Sequence, residues 1–216
     1  MQSFTLSQIL TNLLLATRWT ILLSAIAFIG GGLVGFLVML MRISPNKLLR
    51  YLSGLYVEFF QGTPLLMQLF LTFFGLSVLL GISLSPWVAA AIALTTYTSA
   101  FLAEIWRGSV AAIPQGQWEA AKAVGLNYFR QLQRIILPQA VKMSIPSTVG
   151  FAVQVIKGTS LASVIGFVEL TRSASAISNV TFQPFLVFSL AAVIYFCLCF
   201  PLSILSKQLE RQFAHA

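Results

Sequence analysis

Very few ionisable residues interrupt the apolar runs of this sequence. They are Glu58, Glu104, Arg107 and Lys157, with Glu119 in a long polar loop. A charge in lipid is expensive and marks either pairing or function. Glu104 and Arg107 stand three apart, so they can pair on one helix face. Glu58 follows Arg50 at the edge of an apolar run. Both glutamates read first as structural anchors and second as gating residues. Lys157 lies well inside a run, where it either snorkels to a polar partner or lines a path. Near it in the sequence stand Gln154, Gly158 and Ser160, and an earlier run holds Thr95-Thr96-Tyr97-Thr98-Ser99. Such groups offer the donors and acceptors that a zwitterion needs. They serve equally to bond their own helix backbone or to glue helices together. Thr96, Thr98, Gln154, Lys157 and Ser160 are the candidates to face a path.

No catalytic or metal-binding set is present in the sequence. Cys197 and Cys199, two apart on a helix, point to nearly opposite sides and read as apolar filling. His215, the sole histidine, sits in the tail and is given no role. There is no GxxxxGK[ST] loop to cradle nucleotide phosphates, so energy must come from a partner or an ion gradient.

The polar loop has readable local structure. Pro114-Gln115-Gly116 introduces it, and Trp118 to Val124 suits a short helix. Gly125 fits the left-handed position just past a helix end. Asn127 is a good N-cap for a second helix, with Phe129, Leu132 and Ile136 as one apolar stripe and Arg130 and Arg134 on another side. Pro138 is expected to end that helix. Ala120, Ala121 and Ala123 offer a smooth surface for close approach, and Glu119 sits near a helix N-terminus, where the dipole favours it. The loop reads either as a docking element or as an interfacial segment lying on headgroups.

The elements that must position these groups are membrane helices. Hydrophobic residues make up 58% of the 216 and charged residues 8%, against about 25% charged in soluble domains. Too few charges are present to cover a globular surface. About 20 apolar residues cross a bilayer as a helix. The uncharged runs therefore predict an all-α membrane protein of five spans, near 19–41, 60–80, 87–106, 145–168 and 185–205, in a single domain over 1–216. Gly81 to Pro86 marks a tight turn between the second and third. The first run is too long for a leader and is expected to remain in the mature protein. It contains Gly31 and Gly35, a GxxxG spacing that either permits close helix contact or reflects the frequency of glycine in membrane helices.

Orientation follows from the basic residues. With the N-terminus outside, Arg42, Lys47, Arg50, Arg107, Lys122, Arg130, Arg134, Lys142, Lys207 and Arg211 lie inside, and only Arg18 and Arg172 lie outside. The positive-inside rule thus assigns N-out, C-in.

These residues resemble a known family. Glu119-Ala120-Ala121, Gly125, and Ile135-x-Leu137-Pro138, at this spacing, are similar to the EAA loop of ABC importer permeases, here over 114–140. Glu58-Phe59-Phe60-Gln61-Gly62-Thr63-Pro64-Leu65-Leu66 resembles the family's EFFRGTPLL, with Gln61 for the usual arginine. Ala103 to Gly108, Ile113 to Gln117 and Thr159 to Gly166 resemble its AEIxRG, IPxGQ and TSLxSVIG stretches. Together they are similar to the polar amino acid branch of the type I importers, of the histidine and glutamine permease kind.

The resemblance implies a multi-pass subunit of the bacterial inner membrane that forms a homo- or heterodimer with a second permease subunit. A separate cytoplasmic ABC ATPase dimer binds the ATP, so this chain needs no cofactor and is not itself an enzyme. A periplasmic or surface binding protein delivers the solute. The resemblance makes Glu119, Ala120, Ala121, Gly125, Leu137 and Pro138 the ATPase-coupling residues. It also shows a departure: the family often has Lys-Asp-Thr-Ser-Leu where this chain has Lys157-Gly158-Thr159-Ser160-Leu161. The missing carboxylate puts in doubt a pairing with a cationic solute at that contact. The alternatives are an ion-coupled secondary transporter or channel, which predicts intramembrane acids or an inverted repeat, and an anchor for a respiratory enzyme, which predicts haem-ligating histidines in the spans. The sequence shows neither signature.

Overall fold

The computed structural model of the protein describes residues 5–214, and the regular elements among them are all helices; His215 lies outside these residues. A helix satisfies its backbone polar groups along its own length, the condition for crossing lipid. The elements are α1 (Leu6–Arg42), α2 (Lys47–Gly62), α3 (Leu65–Leu80), α4 (Pro86–Ala111), α5 (Gln115–Ala123), α6 (Tyr128–Ile165), α7 (Leu170–Thr181) and α8 (Pro184–Ala214). Helices α1, α4, α6 and α8 are each long and apolar enough to cross a bilayer, and the bent α2–α3 pair makes up to five crossings.

Several expected spans are parts of longer or broken elements. Helix α1 has 37 residues, so it is about 55 Å long and outruns a hydrocarbon core of about 30 Å. It starts at a capping box of Thr5 and Gln8 and not near Trp19. Its first turns carry Ile9 and Leu13 into an outer core with Leu170, Ala174 and Ile177 of α7 and Val187, Ala191 and Ile194 of α8. The expected span at 60–80 is not one straight helix, because α2 and α3 meet at 105°. Pro64 has no N–H to continue the ladder and drives Thr63 into an extended conformation.

The main core is a seam between α1 and α4. On α4, Ala89, Ala90, Ala93, Ser99, Ala100 and Ala103 are buried, leaving a track of small residues. Gly31 and Gly35 of α1 lie in that track. A Cβ at Gly31 would sit 2.6 Å from Thr98 Cβ, and one at Gly35 would sit 2.7 Å from the Ser99 carbonyl oxygen. The GxxxG spacing therefore serves close approach of the two backbones. Helix α8 meets α6 in a similar way. Ser206 donates to the Pro146 carbonyl at 2.8 Å, and Gly150 leaves room for Ser206.

Gly35→Leu is expected to lower stability by about 1–3 kcal/mol or more, because backbone cannot yield as a side chain can. Gly32→Ala serves as the control, since its Cβ meets nothing closer than Trp106 at 3.9 Å. Thermal unfolding of the detergent-solubilised protein checks both. Equal melting temperatures for the two variants would remove the seam from the account.

Candidate functional site

The polar loop folds as a short helix, α5, joined by a tight turn to the base of α6. Helix α5 begins at Gln115, three residues before the expected start, because Pro114 stands extended ahead of it. Its end is closed twice: Leu126 N–H donates to the Ala121 carbonyl at 3.2 Å and Gly125 N–H to the Lys122 carbonyl at 3.0 Å. This is the Schellman arrangement, and it needs the left-handed residue that Gly125 supplies at φ +77°. Asn127 then caps α6 by accepting from Arg130 N–H at 3.0 Å.

Three details differ from the sequence expectation. Pro138 does not end its helix but lies inside α6. A π turn over Leu132–Ile136 precedes it, and Leu137 N–H reaches back to the Leu132 carbonyl. The widened turn accommodates the proline ring and the carbonyl it leaves without a partner. The predicted stripe is split: Leu132 and Ile136 are buried, whereas Phe129, in the first turn of α6, is 68% exposed. Ala121 is not part of an outward surface. It is buried, while Glu119, Ala120, Lys122, Ala123 and Val124 are exposed.

The element is fixed to the membrane helices by a small core of its own. Val110 and Ile113 at the end of α4 pack with Leu132, Ile136 and Ala140 of α6, and Trp118, Ile135 and Leu137 join them. Trp118 stacks on Tyr128 at 5.9 Å across the turn. The Tyr128 hydroxyl donates to the Ile43 carbonyl at the end of α1 at 2.6 Å, and Gln131 donates to the Leu126 carbonyl. A displacement of α5 must therefore pull on α1, α4 and α6 together. Ala120, Ala123, Val124 and Phe129 are exposed and present apolar area, while Glu119, also exposed, lines a cleft shared with Trp118, Tyr128, Arg42 and Arg107.

Beside this element lies an ion cluster. Glu104 pairs with Arg107 on α4, and Arg107 Nε donates to Glu104 Oε1 at 2.8 Å. Arg42 of α1 reaches the other oxygen, Oε2, at 3.4 Å. Arg42 lies over Gly54, where a Cβ would meet its Nη1 at 3.0 Å, so one carboxylate joins α1 and α4 across α2. Glu58 is exposed and makes no ion pair among the described residues. The two glutamates that the sequence treats alike are thus different in kind.

The candidate path residues do not form one surface. Thr98 is fully buried and its side chain packs on Gly31, so in this conformation it faces α1 and no open path. Its hydroxyl has no partner among the described residues. Thr96 Oγ1 donates back to the Ile92 and Ala93 carbonyls at 3.0 Å, and Ser160 donates to the Lys157 carbonyl. Gln154 and Lys157 are exposed on α6, and Lys157 has no ion pair among the described residues. Gly158 points into the core: a Cβ there would lie 3.1 Å from Leu65 Cδ2 and 3.4 Å from Leu94 Cδ2.

Sequence reasoning missed Gln68. It is 3% exposed, and its amide donates to the Phe60 carbonyl at 2.8 Å, the Thr63 carbonyl at 3.1 Å and the Thr63 hydroxyl at 2.9 Å. The two carbonyls are backbone groups that the 105° bend deprives of helix partners. A second missed clamp is Tyr56, whose hydroxyl meets the Ser99 hydroxyl at 2.6 Å and ties α2 to α4. The signal for Gln68 was present, since a glutamine four residues after a proline in an uncharged run has a backbone break to repair.

The comparisons with known proteins agree with this geometry. Residues 31–215 match the family described as the binding-protein-dependent transport system inner membrane component. The chain is 34% identical over 197 residues to a probable amino-acid ABC transporter permease protein, YckA, of Bacillus subtilis, covering 91% of this chain and 87% of that one. It is 38% identical over 198 residues to a probable glutamine ABC transporter permease protein, GlnM, of the same organism, covering 90% and 91%. The crystal structure of an amino acid ABC transporter superposes with a TM-score of 0.90 at 33% identity, over 98% of this chain and 100% of that chain.

Gln68→Leu is expected to destabilise the protein by about 1–3 kcal/mol, since it leaves two carbonyls of the bend without donors. Gln61→Ala is the comparison: Gln61 is exposed and makes one 3.3 Å bond to the Ala100 carbonyl. Melting temperatures of the two purified variants should separate, and a Gln68→Leu protein as stable as Gln61→Ala would contradict the repair role.

Proposed function

This chain belongs to the family of binding-protein-dependent transport system inner membrane components, and on that premise we propose that it carries a polar amino acid inward as the permease subunit of an ATP-driven importer. The observation that carries the proposal is the coupling element. A nine-residue helix, closed by Gly125, presents Glu119, Ala120, Ala123 and Val124 outward and is anchored by its other face to α1, α4 and α6. An exposed face of small residues backed by a rigid base is what a mechanical joint with a separate motor requires. ATP is bound and hydrolysed by that separate subunit, because no residue set here cradles phosphates.

The cycle follows from the attachment. ATP binding closes the ATPase pair and draws two such elements together, one from this chain and one from a second copy or a paralogue. The load passes from α5 through Trp118 and the Val110–Ile136 core into α4 and α6. Their outer ends then open toward the binding protein, and hydrolysis resets the helices inward. Ion pairing of Arg42, Glu104 and Arg107 holds the bases of α1 and α4 in register during the movement.

The relatives are named for amino acids and glutamine, which supports a polar amino acid as the solute class. Gly158 faces the core: the direction in which a carboxylate would project there is filled by Leu65 and Leu94, both buried. Gln154, Lys157 and Ser160 on α6 and Thr96 on α4 are the candidate polar groups toward the solute.

Ala120→Trp is expected to abolish copurification of the ATPase while leaving the permease folded, because Ala120 is exposed and its face must be approached closely. Gly125→Val forces a β-branched residue to positive φ and is expected to cost about 1–2 kcal/mol locally and to reduce solute-stimulated ATP hydrolysis. If either variant assembles and hydrolyses like the wild type, the coupling assignment fails. Gly158→Asp is expected to lower the melting temperature more than Gly158→Ala, since an unpaired buried carboxylate is worse than a tight methyl. Equal melting temperatures would show that the site opens to solvent.

A further inference from the structure

The second carboxylate held inside the helix bundle is Glu169, between α6 and α7, and the coupling reading leaves it unused. It is 0% exposed and makes no ion pair among the described residues. Burial pushes its carboxyl above the usual carboxylate range, and the donors around it pull the other way. Four groups donate to it: Thr171 N–H at 2.9 Å and Arg172 N–H at 2.8 Å from the start of α7, the Tyr195 hydroxyl of α8 at 2.8 Å, and the Thr20 hydroxyl of α1 at 3.4 Å.

The proton directions close without conflict. Leu170 N–H donates to Thr20 Oγ1 at 3.2 Å, which leaves the Thr20 proton for the carboxylate. The Thr171 hydroxyl, 3.0 Å from Tyr195, donates to the phenol oxygen, which leaves the Tyr195 proton for the carboxylate. Every surrounding group is thus a donor aimed at an acceptor. Charge-assisted bonds of this kind are stronger than neutral ones and are not exchanged for water when buried. The carboxylate also caps α7, where the helix dipole favours it.

Helix α7 has 12 residues, too few to span the membrane, and it lies on the outer side next to the Thr159–Ile165 segment. Its apolar face packs with the outer turns of α1 and α8. We propose that Glu169 is a positioning residue for transport: its carboxylate locks α7 to α1 and α8, so that the three move as one body when the outer face meets a loaded binding protein. The transport role rests on the importer reading given above, whereas the lock itself rests on the hydrogen bonds alone. The lock converts a push on a short external helix into movement of two spans. Without it, α7 would slide on an apolar contact that has no register of its own.

The test uses the complete complex of permease, ATPase and binding protein in nanodiscs, with a mixture of the standard amino acids and cystine as the probe solute. Glu169→Gln preserves size but removes the charge and sets an amide donor against the Arg172 N–H at one oxygen position or against the three donors at the other. Tyr195→Phe removes a single donor and guards against a Gln variant that does not fold. Amide exchange over residues 170–181 should speed up about tenfold or more in both variants, with the base of α6 unchanged. The ratio of binding-protein-stimulated to basal ATP hydrolysis should fall about tenfold in Glu169→Gln while basal hydrolysis holds within about twofold. The double variant should be no worse than Glu169→Gln alone, because the two residues share one bond. Unchanged exchange would overturn the lock. Faster exchange with an unchanged ratio, or an equal fall in basal and stimulated rates, would overturn the positioning role. A wild type that binding protein does not stimulate would overturn the importer reading and, with it, the transport role, leaving exchange to decide the lock.

Discussion

The close contact of α1 and α4 is the constraint on which the other placements depend. Lipid tails are as apolar as leucine, so burial of apolar side chains does not drive helices together in a membrane. What holds them is dispersion between surfaces that come near enough, and Gly31 and Gly35 permit this. With no Cβ at either position, α1 lies against the Thr98–Ala103 stretch of α4. That contact brings Arg42 to Glu104, and Glu104 fixes Arg107. It also sets where α4 delivers Val110 and Ile113, the seat of the proposed coupling element. A larger residue in the seam would separate all of these at once.

Around that seam, irregular backbone recurs, and each departure from regular helix has a device that satisfies the freed groups. The 105° bend at Thr63-Pro64 is repaired by the amide of Gln68. The proline in α6 is preceded by a π turn. The coupling helix ends in a Schellman closure at Gly125, and α7 begins at a buried carboxylate. Unsatisfied backbone groups are costly in a low-dielectric interior, so such devices have to be complete. They also concentrate the places where the chain can bend into a few positions next to the parts assigned to function.

Much of the site was legible because its information is local. The Glu119 to Pro138 spacing, the turn glycine and the Asn127 cap are properties of neighbouring residues, and the Glu104–Arg107 pair follows from three-residue helix spacing. What failed did so for nonlocal reasons or through a single inserted residue. Pro138 reads as a stop because nothing in the sequence announces the π turn that absorbs it, and Phe129 stays exposed because the base core takes only Leu132, Ile136 and Ala140 of its helix face. Ala121 and Ala120 are indistinguishable as residue types, and only the position of Trp118 and the base core decides which one is covered. Nothing in the sequence marks Glu169, just past the fourth predicted span, as a junction, because its partners Thr20 and Tyr195 are 149 and 26 residues away.

The sequence by itself determined the membrane class, the number of apolar runs, the side on which the basic residues lie, and the helix–turn–helix form of the loop after α4. These follow from hydropathy, charge count and short-range backbone chemistry, which act over a few residues. Only the tertiary structure decided that Thr98 faces α1, that Gly158 abuts two leucines, that Arg42 shares a carboxylate with Arg107, and that Glu169 joins three helices. Each of these depends on the rotation of one helix against another. Rotation is set by where small residues let backbones approach, and a uniformly apolar sequence has no periodic signal that records it.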